Sequence, residues 1–253
     1  MKIFLSAVFL AGLAASVQAE HTVYFGQGSS SNGARSAFLT GLTGVGNESF
    51  ETFAVGTETI NPLSLTFLDA NTNTSTNTGS LTTGANQLPG RVSDSSDFEG
   101  TDDGRWATSG TKFFESFGSF SIALTSPVSA FGFYGTDIGD RNDQLWIDLT
   151  DTNDGVTSYM VGHTLGSTQN SVLLFWGFTD TANSYTKISF RSVGSIGITD
   201  QLDFFGFDDM VVGNIKQACE GPSCNVPEPA SLALLGLGLV GLAATRRRKK
   251  VTV

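Results

Sequence analysis

The sequence is poor in basic residues, in histidine and in cysteine. Its 253 residues include 14 Lys and Arg against 24 Asp and Glu, and only two His and two Cys. The formal charge of −10 argues against nucleic-acid binding, because such proteins need basic surface to displace counterions from phosphates. So few His and Cys leave little material for a zinc site or a histidine-dependent triad.

Motifs that carry catalysis are also missing. The sequence contains no Gly-x-Ser-x-Gly elbow, no Walker loop and no His-Glu-x-x-His. His21 lies beside a predicted processing site, where order is poor, and His163 lies at a strand end or loop, where a lone His is usually structural. Asp102 and Asp103 offer carboxylates to a glycosidase, but adjacent positions do not establish the separation that such an enzyme needs. We therefore expect no enzymatic activity.

The N-terminus is typical of a secretory signal peptide. Lys2 provides the positive charge, residues 3–15 are apolar, and residues 17–19 (Val-Gln-Ala) place small side chains where a signal peptidase cleaves. The pattern predicts a signal peptide over residues 1–19, removed by signal peptidase to leave Glu20 first. A short uncleaved membrane anchor is the alternative.

The C-terminus has three successive parts. Residues 226–231 read Val-Pro-Glu-Pro-Ala-Ser, residues 232–244 are apolar, and a cationic cluster follows that includes Arg246, Arg247 and Arg248. The prolines keep the first part extended. The apolar part predicts a single membrane helix over about residues 232–245. Its length of about 21 Å is short for a hydrocarbon core of about 30 Å, and the cations hold its end on the cytoplasmic side.

This tail resembles the PEP-CTERM sorting signal over residues 226–250, with Pro227, Glu228 and Pro229 as the central motif. The resemblance implies a Gram-negative bacterium that makes exopolysaccharide. It also implies recognition and removal of the tail by exosortase, a membrane transpeptidase-like enzyme. The protein is then tethered to the membrane transiently before it reaches the cell surface or the extracellular matrix of a biofilm. An ordinary C-terminal anchor is the alternative.

Between the two ends lies an acidic domain, predicted over residues 20–217. Six of the 14 basic residues but only one of the 24 acidic ones lie in the ends, so residues 20–225 carry a formal charge of about −15. Such acidity favours solubility, opposes binding to anionic surfaces and offers carboxylates to hard cations.

Short segments of this domain alternate apolar and polar residues, with turn residues between them. Strands at such intervals indicate an all-β fold, a β-sandwich or jelly roll. The predicted strands lie at residues 119–125, 128–134, 144–150, 156–161, 172–178, 185–190 and 203–212. Convincing helical periodicity is found only at the two termini. The repeat at residues 71–78, Asn-Thr-Asn-Thr-Ser-Thr-Asn-Thr, predicts a flexible loop, with ice contact as the alternative.

The 20 Phe predict an aromatic core, since these rings fit the pleated surface of a sheet. A carbohydrate-stacking face is the alternative for some of the other aromatic residues. The residues concerned are Trp106, Trp146, Trp176, Tyr134 and Tyr185.

Two distant acidic segments are candidates for a structural calcium ion. Residues 47–51 (Asn-Glu-Ser-Phe-Glu) end in Glu51, and residues 205–209 (Phe-Gly-Phe-Asp-Asp) end in Asp208 and Asp209. The pair resembles segments of secreted, lectin-like carbohydrate-binding jelly rolls, which implies that the two meet around calcium. Because side chains alternate along a strand, we expect only one of the two Asp to face the ion. Acidic residues that merely end an edge strand are the alternative.

A second acidic loop follows a predicted strand and contains Asp137, Asp140 and Asp143. Three carboxylates in seven positions suggest a cation or sugar site, although the full spacing and the terminal Glu of an EF-hand are missing. A solvated loop, neutralised by Arg141, is the alternative.

Cys219 and Cys224 lie in a short stalk, residues 218–225, just before the sorting motif. Outside the cytoplasm two such cysteines most simply form a disulfide. A thiol pair active in exchange is the alternative.

Together these features predict an exported, exosortase-sorted, non-catalytic protein of the cell surface or matrix, with exopolysaccharide as its expected ligand. Two other functions are compatible with the sequence. One is a secreted hydrolase of matrix polysaccharide, and the other is a structural exoprotein without a ligand.

Overall fold

The computed structural model describes residues 21–84, 87–94, 104–194 and 204–216, which all belong to one compact unit, Ala19–Lys216. These residues form one α-helix, two short 3-10 helices and thirteen strands. The helices are α1 (Ser31–Leu39) and the 3-10 helices Gly28–Ser30 and Ser167–Gln169. The strands are β1 (His21–Gln27), β2 (Leu42–Glu48), β3 (Leu63–Leu68), β4 (Ser75–Thr83), β5 (Arg91–Asp94), β6 (Lys112–Ser116), β7 (Phe120–Val128), β8 (Ala130–Thr136), β9 (Gln144–Asp151), β10 (Val156–Met160), β11 (Leu173–Asp180), β12 (Tyr185–Val193) and β13 (Phe205–Ile215).

All strands are antiparallel, in the order β1-β11-β8-β13-β2-β3-β4-β7-β12-β9-β10, with β6 on β13 and β5 on β6. The only pair between β2 and β3 is Asn47 with Leu68, so the sheet folds over at this point into two layers. We call β1, β11, β8, β13 and β2, with β5 and β6, the covered sheet. We call β3, β4, β7, β12, β9 and β10 the open sheet. The domain is a β-sandwich of the jelly-roll type, which confirms the predicted fold class.

Aromatic rings from the two sheets meet in the core. Phe133 of the covered sheet lies 5.1 Å, centroid to centroid, from Phe190 of the open sheet. Phe207 lies 5.0 Å from Phe120 in the same way, at a nearly perpendicular angle. Edge-to-face pairs of this kind are favourable beyond the area they bury. The predicted aromatic core is confirmed.

Helix α1 covers the outer surface of one sheet and is absent from the sequence-based expectation, which placed helices only at the termini. Its Phe38 is fully buried against the ring of Phe175, 5.5 Å away. Glycines make room for it: a Cβ on Gly132 would lie 3.1 Å from Phe38 Cε1, and one on Gly177 would lie 3.0 Å from Phe38 Cδ2. Nothing in a nine-residue segment with few apolar positions signals this partnership.

Three further local expectations were wrong. The repeat at residues 71–78 is a turn only as far as Thr74, because Ser75 begins β4. The strand predicted over residues 119–125 does not end there, because β7 runs on through Pro127 to Val128, past a register shift in its pairing with β12. His21 is ordered in β1, opposite Asp180 of β11.

Candidate functional site

The outer surface of the open sheet is exposed and rich in hydroxyl groups, and we call it the open face. Its strands alternate strictly, with buried apolar residues such as Ile122 and Ile188 on the inside. The outward residues that carry hydroxyl groups are Ser64, Thr66, Thr78, Ser80, Thr82, Ser121, Thr125, Thr150, Ser158 and Ser189. Ser and Thr both donate and accept hydrogen bonds, so this surface can pair with a polyhydroxylated ligand.

The outward residues are aligned across the strands. One row runs through six of them in register: Ser64, Ser80, Ala123, Lys187, Thr150 and Val156. At the usual separation of neighbouring strands this row extends for roughly 24 Å. The surface is therefore long enough to follow an extended polymer.

Trp146 is the aromatic residue at one end of the open face. It is half-buried, pairs with Arg191 of β12 and Met160 of β10, and the Arg191 guanidinium lies 5.5 Å from its ring centroid. Arg191 also binds Asp148, with Nε 2.7 Å from Oδ2. Hydrogen bonds from Arg191 hold the pKa of Asp148 below its ordinary value, so this carboxylate is ionised at neutral pH.

The other aromatic candidates lie elsewhere. Trp176 and Tyr185 are each 1 % exposed and belong to the core, and Tyr134 is buried with its hydroxyl donating to Asn32 Oδ1. Trp106 is half-buried, and its Nε1 donates to Ser171 O at 3.3 Å, away from the open face. Of the five aromatics proposed for stacking, Trp146 alone lies on this surface.

The two adjacent Asp of β13 lie on the same side of the strand, contrary to expectation. A bulge between Asp208 and Val211 interrupts the pairing with β8, and Asp209 has a positive φ of 46°. Asp208 Oδ2 accepts from Thr108 N at 2.7 Å, and Asp209 Oδ1 accepts from Asn47 Nδ2 at 2.7 Å. The alternation of side chains in a regular strand was the wrong guide here, because the bulge turns the second carboxylate round.

Glu51 meets the same segment that holds the two Asp. Its Oε1 accepts from Thr111 N at 2.8 Å and from Lys112 N at 2.7 Å, while Asp208 binds Thr108 and Ser109. The early and late segments therefore converge on residues 108–112, as the predicted calcium site requires. Because N–H and O–H donors occupy these carboxylate oxygens, calcium at this position stays a prediction.

Glu48, which the sequence did not single out, is a buried carboxylate beside this cluster. It is 4 % exposed, and its two oxygens accept from Phe50 N and Thr66 N, each at 2.8 Å. Burial raises its pKa above the ordinary value, against the effect of these backbone donors. It fastens β2 to β3 where the sheet folds over, which is a structural role.

The acidic loop after β8 contains three carboxyl groups, and the charge of Asp140 acts on both of the others. Asp137 is 3 % exposed, and burial, then the charge of Asp140, raises its pKa to about 7. Arg105 Nη1 lies 3.3 Å from Asp137 Oδ2 and is its nearest positive charge. Asp143 is also affected by the charge of Asp140: burial, and to a smaller extent that charge, raise its pKa, and its Oδ2 accepts from Ser192 Oγ at 3.4 Å.

His163 lies in a loop and is buried, in agreement with a structural role. Leu145 N donates to its Nε2 at 3.1 Å, so the ring accepts there and Nδ1 carries the proton towards Thr164 O. Burial lowers the pKa of His163, which keeps the ring neutral.

Several predictions concern residues outside the described ranges: the signal peptide 1–19, the pair Asp102 and Asp103, and everything beyond residue 216. The latter includes Cys219, Cys224, the motif Pro227, Glu228 and Pro229, the helix over 232–245, and Arg246, Arg247 and Arg248. Within the described ranges no helix is long and apolar enough to cross a membrane. In those same parts of the chain, no three His, Cys, Asp or Glu are grouped to hold a metal ion.

Solved structures similar to the chain share little sequence with it. The K2 cleaved adhesin domain of Lys-gingipain is 15 % identical, with a TM-score of 0.41 over 66 % of this chain and 98 % of that domain. The CBM22-1 xylan-binding domain from Paenibacillus barcinonensis Xyn10C is 12 % identical, with a TM-score of 0.34 over 66 % of this chain and all of that one (100 %). Likenesses of this degree say nothing of ligand or activity.

No curated protein matches the chain. Its tail does have a match: residues 225–249 fit the family described as the PEP-CTERM protein-sorting motif. This motif implies processing by exosortase and marks an exported protein that is sorted to the cell surface. The chain is therefore an exported β-sandwich protein that carries a PEP-CTERM sorting motif at residues 225–249.

Proposed function

We propose that the protein is a non-catalytic component of the cell surface or matrix that binds exopolysaccharide through its open face. The observation that carries this proposal is the placement of Trp146 at the end of an exposed, hydroxyl-rich sheet. An aromatic ring stacks on the apolar face of a sugar, and Ser and Thr hydroxyls pair with those of the sugar.

Charge on the open face also favours this ligand. The domain as a whole is strongly acidic, but the outward charged residues on the open face are Lys187, Arg191 and Asp148, with Asp148 bound to Arg191. Lys187 is exposed on the central row. These three residues carry a net formal charge of about +1, so this surface does not repel an acidic polysaccharide as the acidic domain as a whole does.

A hydrolase of matrix polysaccharide is the second candidate, and the state of Asp148 speaks against it on this surface. Glycosidases use two carboxyl groups, one of which must hold a proton to act as the general acid. Asp148 is tied to Arg191 and accepts from Ser158 Oγ at 2.6 Å, and its lowered pKa leaves it ionised. A structural exoprotein without a ligand is the third candidate.

The proposal is tested by measuring retention of the protein on exopolysaccharide, taken from a strain that has a PEP-CTERM sorting system. The exported protein is compared with Trp146→Ala, Lys187→Ala and the control Lys216→Ala, which removes an exposed Lys at the far end of β13. We expect Trp146→Ala to weaken binding about tenfold and Lys216→Ala to leave it unchanged.

Two outcomes would contradict the proposal. Wild-type protein that is not retained on any exopolysaccharide supports the structural candidate. Release of reducing sugar by wild-type protein supports the hydrolase.

A further inference from the structure

The loop between β8 and β9 contains a buried carboxylate oxygen that has no hydrogen-bond partner. The Asp137 side chain is only 5 % exposed. Its Oδ2 faces Arg105, while its Oδ1 is buried and has no hydrogen bond of normal geometry; the backbone N–H of Ser171 is near the carboxyl group and lowers its pKa. A buried oxygen left in this state costs free energy comparable to a lost hydrogen bond, and more when it is charged.

A second such oxygen belongs to the same loop. Asp140 Oδ1 is also buried without a partner, and its charge acts on Asp137. Arg105, the arginine beside Asp137, is shared, because its Nε lies 2.8 Å from Glu115 Oε1. The loop therefore holds two carboxylates whose charge the neighbouring arginine offsets only in part.

A third oxygen, Asn170 Oδ1, comes from the segment before β11, where it also accepts from Ser171 Oγ at 3.1 Å. A Cβ on Gly104 would lie 2.3 Å from Asp137 Oδ1 and 2.3 Å from Asn170 Oδ1. The distance between these two oxygens is therefore at most 2 × 2.3 Å. Calcium binds oxygens at about 2.3–2.6 Å, so one ion can bridge two oxygens with such a separation. A side chain at position 104, where φ is 78°, would collide with both oxygens, so glycine lets the backbone approach them closely.

We propose that Asp137 Oδ1, Asp140 Oδ1 and Asn170 Oδ1 bind one calcium ion between the β8–β9 loop and the start of β11. The ligands are all oxygens, which suits a hard divalent cation and not zinc. Calcium takes six to eight oxygens, so backbone carbonyls and water complete the shell. Asp143 is not included in this ligand set; its Oδ2 accepts from Ser192 Oγ at 3.4 Å. The site is independent of the proposed polysaccharide binding on the open face.

Two simpler arrangements make different predictions. A proton on Asp137 neutralises that carboxylate but leaves Asp140 Oδ1 without a partner, whereas a calcium ion binds both Asp137 Oδ1 and Asp140 Oδ1. An amide of Asn170 turned by half a revolution would donate to Asp137 Oδ1 and remove the need for an ion there. The variant Asn170→Asp distinguishes the two cases. If a cation is bound, the new carboxylate adds a charged ligand. If Asn170 instead donates to Asp137, the variant replaces a hydrogen bond with repulsion between two carboxylates.

Thermal unfolding of the full-length chain, treated with EDTA and then titrated with calcium or magnesium, tests the proposal. We expect millimolar calcium to raise Tm by about 5–10 °C, with a much smaller effect of magnesium. Asp140→Asn, at a half-buried position that tolerates the change, should abolish the shift. The control Asp154→Asn removes an exposed carboxylate from the β9–β10 turn and should retain it.

The remaining variants decide where the ion binds. Asn170→Asp should shift the calcium titration to lower concentration. The proposal is overturned if calcium leaves Tm unchanged, if Asn170→Asp destabilises the protein equally with and without calcium, or if Asp208→Asn rather than Asp140→Asn abolishes the shift. The last result would assign the ion to the cluster of Glu51, Asp208 and Asp209.

Discussion

The carboxylates of Asp208 and Asp209 share one hydrogen-bonding partner, although the residues are neighbours in a strand. Thr108 Oγ1 lies 2.9 Å from Asp208 Oδ2 and 2.9 Å from Asp209 Oδ2. A single hydroxyl proton can serve only one of them at a time. Burial, and then the charge of Asp209, raise the pKa of Asp208 to about 7, so a proton is held at this place in the folded protein.

This relationship predicts that the protein loses stability as pH rises from about 4 to about 7. In the folded state Asp208 keeps its proton up to about 7, whereas in the unfolded state it loses it near 3.8. The folded state therefore binds more protons within this window, and the free energy of unfolding falls as pH rises, by a few kcal/mol in order of magnitude. Urea unfolding in EDTA at a series of pH values measures the effect.

Asp208→Asn is the matching variant, because it removes the titrating group. We expect a shallower dependence on pH, although not a flat one, since Asp137 also has a pKa raised to about 7. A variant that retains the full wild-type slope would show that Asp208 is not the source of the effect.

A second prediction concerns the glycine beneath helix α1. In Gly132→Ala the new Cβ would lie 2.9 Å from Phe175 Cζ and 3.2 Å from Trp176 O, so the packed layer must shift. We expect a loss of about 1–3 kcal/mol. Gly33→Ala, in the helix itself and with open space around its Cβ, should instead stabilise the protein by about 0.5–1 kcal/mol. Urea midpoints that move in the same direction for both variants would contradict this packing.

The sequence predicted those strands in which apolar and polar residues alternate strictly and the apolar residues are buried. In β9, Leu145, Ile147 and Leu149 face the core, and this pattern predicts the strand almost to its ends. Strand β4 escaped prediction because two of its inward positions are Asn77 and Gly79, which give no apolar signal. Periodicity therefore finds a strand only when its inner residues are apolar.

The candidate sites were less accessible to sequence reasoning, because they depend on irregular backbone and on distant partners. Nothing in Phe-Asp-Asp-Met signals that Asp209 adopts a positive φ, and this conformation decides where both carboxylates lie. Asn170 and Gly104 meet Asp137 across segments far apart in the chain, so residue type alone could not select them. The sequence did predict the carboxylates of the β8–β9 loop and the convergence of the Glu51 segment with that of Asp208 and Asp209.

A third prediction concerns Glu115, a buried carboxylate that contacts the buried Arg105 and the partly exposed Arg91. It is 1 % exposed, with Oε2 2.6 Å from Arg91 Nε and Oε1 2.8 Å from Arg105 Nε. Removing one partner of a buried ionic network leaves charge without compensation, so we expect Glu115→Gln to cost about 3 kcal/mol. Glu58→Gln, the same change at an exposed position, should alter the free energy of unfolding by less than about 0.5 kcal/mol. Equal urea midpoints for the two variants would show that the contacts of Glu115 with the two arginines do not stabilise the fold.

A fourth prediction concerns His163 and has the opposite sign from that for Asp208. Its Nε2 accepts a hydrogen bond from Leu145 N, so protonation there destroys the bond, and burial lowers the pKa below the ordinary 6.5. Because the unfolded chain takes up a proton near 6.5 and the folded one does not, this residue lowers stability as pH falls below that value, by at most about 1.4 kcal/mol per pH unit. In an NMR titration we expect the imidazole signal of His163 to titrate below the ordinary value of 6.5. The chain has two histidines, so the variant His21→Gln identifies the signal. A His163 ring that titrates at or above pH 6.5 would mean that Nε2 is not held as an acceptor in the folded protein.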